Sequence, residues 1–344
     1  MTVAVPSVRT SGARLRRFGP GLIVAVIVSL LAVVGGRIEE RMLGRAIIEP
    51  LVLAILIGMA VRTVRGVSPR TEAGVRFVAK DVLEVAVLLL GATMDVPRLF
   101  ASGPALAAGI VAIVCLALTF GYLVGRAAGL SPNLATLVAT GNAICGNSAI
   151  AAVAPVIGAD REDVVPSIAL TAVLGVVLVL TLPLLIPLVG LTNYQYGVLA
   201  GLSVYAVPQV LAAAFAVSTL SGQVATAVKL ARVLMLGPVV TFFALRAHRA
   251  STSALSIHKL VPWFVVGFVV LAALRSTGMI AESIGNDAKL VAGWLTIAAM
   301  AALGLSVDVR SVRQVGARVA VAVAGSLIVL ITLTLMLIKL GSIG

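Results

Sequence analysis

Thr140-Gly141-Asn142-Ala143-Ile144-Cys145-Gly146-Asn147-Ser148-Ala149 is a polar, glycine-bearing stretch set inside a hydrophobic span. Apolar sequence flanks it, from Leu134 to Val138 and from Ile150 to Ile157. Backbone that leaves the regular helix at membrane depth must be buried in protein or line a watery cavity, because lipid cannot satisfy its N–H and C=O groups. Glycines let the chain unwind, and two amides and a hydroxyl supply donors and acceptors there. Secondary transporters build midplane binding sites in this way. Close helix packing through small residues would explain the glycines and the serine, but not two asparagines, which are expensive in hydrocarbon. Gly141, Asn142, Cys145, Gly146, Asn147 and Ser148 are therefore candidate substrate-binding residues.

The surrounding chain is a membrane protein throughout. Of its 344 residues, 60% are hydrophobic and 11% charged, where soluble domains carry about 25% charged residues. The formal charge of +13 lies in short segments between apolar runs, the pattern of topology determinants. A basic groove with interleaved aromatics, as single-strand binders need, is absent, so no nucleic-acid partner is expected. Cys115 and Cys145 both lie in apolar spans and read as buried free thiols. With two histidines elsewhere they form no metal pattern, and no cofactor is expected. Arg9, Arg14, Arg16 and Arg17 precede an apolar run from Phe18 to Val34 without a small-x-small cleavage site. This reads as a retained first helix, with 1–17 a cytoplasmic basic segment and 18–344 one transmembrane domain.

At about 20 apolar residues per span, the expected fold is all-α, a bundle of about eleven helices. They lie near 18–36, 47–64, 78–95, 104–125, 132–157, 164–190, 195–217, 222–245, 260–276, 288–306 and 317–340. With the N-terminus inside, the cytoplasmic segments hold Arg65, Arg70, Arg76, Arg126, Arg246, Arg249, Lys259, Arg310 and Arg313. The other side holds Asp160, Arg161, Glu162, Asp163, Glu282 and Asp287, with Arg37, Arg41 and Arg45 as its exception. The bias fits the positive-inside rule.

An internal repeat accompanies this topology. Leu90-Gly91-Ala92-Thr93-Met94-Asp95-Val96 recurs as Leu303-Gly304-Leu305-Ser306-Val307-Asp308-Val309, and Gly103 and Gly316 keep the same offset of 213. Upstream, Pro50 to Arg62 matches Pro262 to Arg275 with one residue of slippage. The copies end the third and tenth helices, an odd number of spans apart, so inverted repeats with Asp95 and Asp308 on opposite faces are expected.

A second interruption falls in the seventh span, at Ser203-Val204-Tyr205-Ala206-Val207-Pro208-Gln209-Val210. Pro208 removes a backbone donor and clashes with the preceding turn, while Tyr205 and Gln209 share a helix face. The two interruptions are expected to approach each other and line one cavity. In the eighth span Lys229 and Arg232 are three apart, on one face, at a depth where charges turn to a cavity or a partner. An arginine there can clamp an oxyanion through two parallel N–H bonds; the rival role is to partner helix carbonyls or a carboxylate such as Glu84.

Gly141 to Ile157, Gln209-Val210, the string from Lys229 to Pro238, and Ala301-Ala302-Leu303-Gly304-Leu305 resemble the YeiH/UPF0324 family over nearly the whole chain after about residue 45. The resemblance implies a bacterial inner-membrane protein, and members are usually labelled sulfate exporters. Many members have His-Glu at Tyr205-Ala206 and Arg at Glu84, so this chain departs from the family where a proton or a charge could be carried.

The function expected is a secondary transporter of a small anion such as sulfate, a sulfonate or a carboxylate, by alternating access. The alternative is an anion channel or a membrane-embedded binding protein. No G-x-x-x-x-G-K-[ST] pattern occurs, and no base is placed for Cys145 or Ser148 to act as a nucleophile, so an enzyme is not expected. The expected partners are the anion, a coupling ion (H+ or Na+) and the lipid bilayer; a homo-oligomer is left open.

Overall fold

The computed structural model describes residues 9–43, 49–94, 103–246, 262–308, 310 and 316–341. Among them the chain is all helical. In order the helices are α1 (Arg9–Leu43), α2 (Pro50–Arg65), α3 (Pro69–Phe77), α4 (Leu83–Gly91), α5 (Gly103–Ala127), α6 (Pro132–Ala143), α7 (Asn147–Ile157) and α8 (Arg161–Thr181). Then come α9 (Leu185–Val189), α10 (Asn193–Ser203), α11 (Val207–Phe215), α12 (Thr219–Leu234), α13 (Leu236–Arg246), α14 (Trp263–Ser276), α15 (Glu282–Ser306) and α16 (Ala317–Leu340). A π turn, Val78–Val82, joins α3 to α4, and a 3₁₀ turn, Leu182–Leu184, joins α8 to α9.

Among the described residues, six continuous stretches are long and apolar enough to cross a membrane: Arg17–Met42, Ala105–Ala127, Glu162–Val189, Thr219–Arg246, Glu282–Ser306 and Ala317–Leu340. Their outer faces carry large apolar side chains such as Ile23, Leu123, Leu188, Phe242, Leu290 and Ile328. This is the surface of a polytopic membrane bundle, where lipid rather than water solvates the outside.

Helix boundaries follow local capping chemistry. Ser131 accepts from the Leu134 N–H at 3.1 Å with Pro132 in the first turn. Thr192 and Gln195 form a reciprocal capping box, and Ser218 accepts from the Ser221 N–H at 3.0 Å. Each satisfies orphan donors of a first turn. The third span starts at Pro69, nine residues before its expected position. Ser68 caps it and Pro69 opens it; those signals lie in a charged stretch that hydropathy places outside the apolar run.

The chain divides into two compact units, Met1–Ala86 with Gly293–Asp308, and Val87–Ala292 with Val309–Gly344. In the first, Phe18 stacks on Phe77 at 5.1 Å, and Gly21 meets Gly74 so closely that a Cβ on either would lie 2.2 Å from a carbonyl oxygen. The second unit contains both interrupted spans and the candidate site residues.

Glycine contacts bear on the repeat. In the first unit a Cβ on Gly304 would lie 2.2 Å from the Ile55 carbonyl oxygen; in the second, a Cβ on Gly91 would lie 2.4 Å from that of Phe268. Gly304 and Gly91 are 213 residues apart (304 − 91), and so are Phe268 and Ile55 (268 − 55). The third helix of each copy therefore packs on the second helix of the other, through equivalent atoms. Gly103 opens α5 and Gly316 caps α16, continuing the same offset. Asp95, one of the two aspartates expected on opposite faces, lies outside the described residues, as do His248 and His258.

Candidate functional site

Both interrupted spans are broken outright. α6 ends at Ala143 and α7 begins at Asn147; between them Gly146 takes φ 65, ψ −122, a conformation an L side chain rarely adopts. α10 ends at Ser203 and α11 begins at Val207, with Val204 and Ala206 extended. Pro208 stands in the first turn of α11, where its missing N–H is harmless. The proline that sequence reads as a kink is thus a helix start.

Breaking a helix leaves carbonyls without intrahelical partners at the end of its first half. In this protein Lys229 and Arg232 of α12 satisfy them. Lys229 Nζ donates to the Ile144 carbonyl at 2.6 Å and to the Val204 carbonyl at 2.9 Å. Arg232 Nε donates to the Ala143 carbonyl at 2.6 Å and Nη2 to the Asn142 carbonyl. Its Nη1 donates to the Gly201 and Val204 carbonyls, each at 3.3 Å. Both side chains are fully buried. Two cations on consecutive turns therefore tie the C-terminal ends of α6 and α10 together, where the helix dipoles are negative. The two interruptions approach each other, as that part of the expectation has it, and the bridge is α12.

No buried Asp or Glu occurs among the described residues. Among the described residues the hydrogen-bond partners of the pair are backbone carbonyls. Of the two roles weighed for Arg232, the guanidinium takes the carbonyl-partner role: its hydrogen bonds hold backbone, and one N–H on Nη2 is left over.

The other expected residues take different places. Gly141 is buried where a Cβ would lie 3.0 Å from Ile150 Cδ1. Asn142 donates through Nδ2 to the Val323 carbonyl of α16 at 3.1 Å, and its Oδ1 is buried without a partner. Cys145 is buried, and its thiol adjoins the Ser148 hydroxyl and the Ala149 N–H. Asn147 and Ser148 are exposed at the start of α7. Tyr205 is buried and its hydroxyl has no partner. Gln209 is committed to the fold: Oε1 accepts from the Ala206 N–H at 3.2 Å and Nε2 donates to the Ala172 carbonyl at 3.4 Å. Cys115, expected buried, is exposed on α5; its apolar span turns that side outward, where a small thiol suits lipid.

Sequence reasoning placed a span near 164–190 but missed the part that α8 plays at the site. Thr171 Oγ1 donates to Asn147 Oδ1 at 2.6 Å and so orients the first residue of α7. Gly175 makes room for the Gln209 amide, since a Cβ there would lie 2.2 Å from Oε1. Ser167, Thr171 and Gly175 recur every four residues, a small and polar stripe on one helix face. That stripe was the available signal.

A family model described as Conserved hypothetical protein 698 matches residues 20–323. A UPF0324 membrane protein of Brucella melitensis is 50% identical over 328 residues, covering 95% of this chain and 92% of its own. One from Agrobacterium fabrum is 48% identical over 321 residues, covering 93% and 92%. One from Bacillus cereus is 31% identical over 310 residues, covering 89% and 91%. No solved structure matches the chain. The coverage is near complete on both sides, and the residues of both breaks and of α12 lie inside the matched region: this chain belongs to the UPF0324 membrane protein family.

Proposed function

We propose that the protein is a secondary transporter of a small anion, working by alternating access in the bacterial cytoplasmic (inner) membrane with its N-terminus in the cytoplasm. One observation carries the reading: Lys229 and Arg232 are fully buried where two broken helices meet, and no carboxylate is buried among the described residues. Burying an ion costs several kcal/mol even after relaxation. Carbonyl dipoles offset part of that cost, and a visiting anion would offset the rest. Irregular backbone at membrane depth belongs beside a cavity or packed protein, and breaks of this kind are where transporters hold their solutes.

Sulfate, small sulfonates and carboxylates are the probes of first choice. Purified protein in liposomes loaded with unlabelled sulfate should accumulate labelled sulfate by counterflow, and the flux should depend on an imposed proton or sodium gradient. Exchange separates a carrier from a channel, which dissipates a gradient without counterflow. Absence of counterflow with every anion class, in liposomes containing folded protein, would defeat the proposal.

A further inference from the structure

One side chain spans the equivalent carbonyls of the two breaks. The C-caps of α6 and α10 are Ile144 and Val204, the residues that directly follow Ala143 and Ser203. Lys229 Nζ donates to the carbonyls of both, at 2.6 and 2.9 Å. In transporters with broken helices, half-helix C-terminal ends and unwound carbonyls are the groups that hold a coupling sodium ion or proton. Here those two carbonyls, and those of Asn142, Ala143 and Gly201, take their hydrogen bonds from side chains of the chain itself. The cation at the crossing is tethered.

Lys229 and Arg232 differ in one chemical respect. A guanidinium keeps its proton in proteins, whereas an ammonium can give one up. The hydrogen bonds of Lys229 permit it. An ammonium has three N–H groups and an amine two, and Nζ makes two hydrogen bonds among the described residues. Both helix ends therefore stay tied with or without the third proton. The charged and titratable groups that face Nζ are Arg232, which shares the Val204 carbonyl with it, and the Cys145 thiol in the α6–α7 break. The Tyr205 hydroxyl faces Arg232 instead. From α5 and α10, which also pack on α12, Arg126 and Tyr196 are engaged with the Leu130 and Ala213 carbonyls. An opposite charge close by favours the charged form of a titratable group. No carboxylate is buried among the described residues, so the opposite charge that would hold the third proton is one the substrate brings.

We propose that the coupling ion is a proton carried on Lys229 Nζ, and that the protein moves its anion together with that proton and without sodium. The proton comes from water on the side that supplies the anion and makes Nζ the ammonium beside it. It returns to water on the far side as the anion leaves. Only an N–H bond is made and broken. Arg232 stays charged through the cycle and keeps the helix ends together. The assignment rests on the anion-transport reading and names its coupling ion. Because proton and anion travel together, an inward proton gradient drives the anion inward.

The test uses the full chain purified in detergent, with the N-methylglucamine salts of sulfate, methanesulfonate and chloride as probes in sodium-free buffer. Calorimetry in buffers of different ionisation enthalpy counts the protons taken up. About one proton per anion bound is expected, and Kd should rise about tenfold from pH 7 to pH 8. Replacing N-methylglucamine by sodium throughout should leave Kd unchanged. Lys229→Arg, permanently charged, should bind the anion with no proton uptake and with a Kd independent of pH. Cys145→Ser removes the thiol that faces Nζ and should keep the uptake, whatever its affinity. Binding by the parent protein without proton uptake, or binding tightened by sodium, overturns the proton assignment and leaves anion transport standing. Uptake that survives in Lys229→Arg, or that is lost in Cys145→Ser, does the same. If Lys229→Arg does not fold, the parent protein and Cys145→Ser decide between these outcomes. A parent protein that binds none of the three anions overturns both readings together.

Discussion

Replacing Arg232 with glutamine tests the physical logic of the two breaks most directly. The guanidinium makes hydrogen bonds to the carbonyls of Asn142, Ala143, Gly201 and Val204. A glutamine amide has two N–H groups on a shorter stem, so at least two of those four carbonyls lose a donor, of which only Val204 keeps another, Lys229. A buried polar group left unsatisfied costs about 1–3 kcal/mol, so one or two such groups put the loss at roughly 1–6 kcal/mol. Against a typical total of about 5–15 kcal/mol, the variant should be much less stable, with Tm lowered on the order of 5–10 °C. Arg232→Lys keeps the charge at the two helix ends but not the fork, and should fall between. Because Lys229 and Arg232 share the Val204 carbonyl, Lys229→Met combined with Arg232→Gln should be non-additive. The assay is Tm by intrinsic fluorescence in detergent, with sulfate Kd measured on the same preparations. An Arg232→Gln protein that melts within about 2 °C of its parent would refute the claim that the guanidinium holds the broken ends.

Gly146→Ala forces a side chain into φ 65, ψ −122 and against Tyr205; it should cost about 1–3 kcal/mol and weaken sulfate binding, read by Tm and Kd on one sample. Gly91→Ala and Gly304→Ala each drive a Cβ into a carbonyl oxygen at an equivalent crossing. Both should lower Tm by similar amounts, and a harmless substitution at one alone would break the equivalence of the two copies. Cysteines placed singly near Arg70 and near Asp287, in chains with Cys115 and Cys145 replaced by serine, should react with a membrane-impermeant maleimide in intact cells only at the second position; the reverse labelling would invert the orientation.

Much of this architecture is legible in the sequence, for identifiable reasons. The break after Ala143 is visible because glycines and asparagines at membrane depth have few uses other than unwinding and packing. The burial of Arg232 is visible because it lies far from either end of its apolar run; Lys229, nearer the start of that run, is read from sequence as able to snorkel to the interface, and the structure buries it as well. Their task is not visible. Which acceptor a buried cation finds depends on where two other helices stop, and α6 and α10 stop more than eighty and more than twenty-five residues away from it in sequence (229 − 143 and 229 − 203). The same limit hid α8, whose Thr171 and Gly175 matter only because α7 and α11 lie against them. The division between Gln209 and Tyr205 was hidden for a simpler reason. Four apart, they would share the face of one continuous helix, but the break at Val204–Ala206 ends that helix between them. Gln209 then folds back as a cap, and Tyr205, in the extended segment, keeps its hydroxyl unpaired. A polar residue inside a broken span is thus read correctly only once it is known on which side of the break it falls. Carbonyls at the end of the first half call for a cation, whereas donors at the start of the second half are capped at α11 and left without a backbone acceptor at α7.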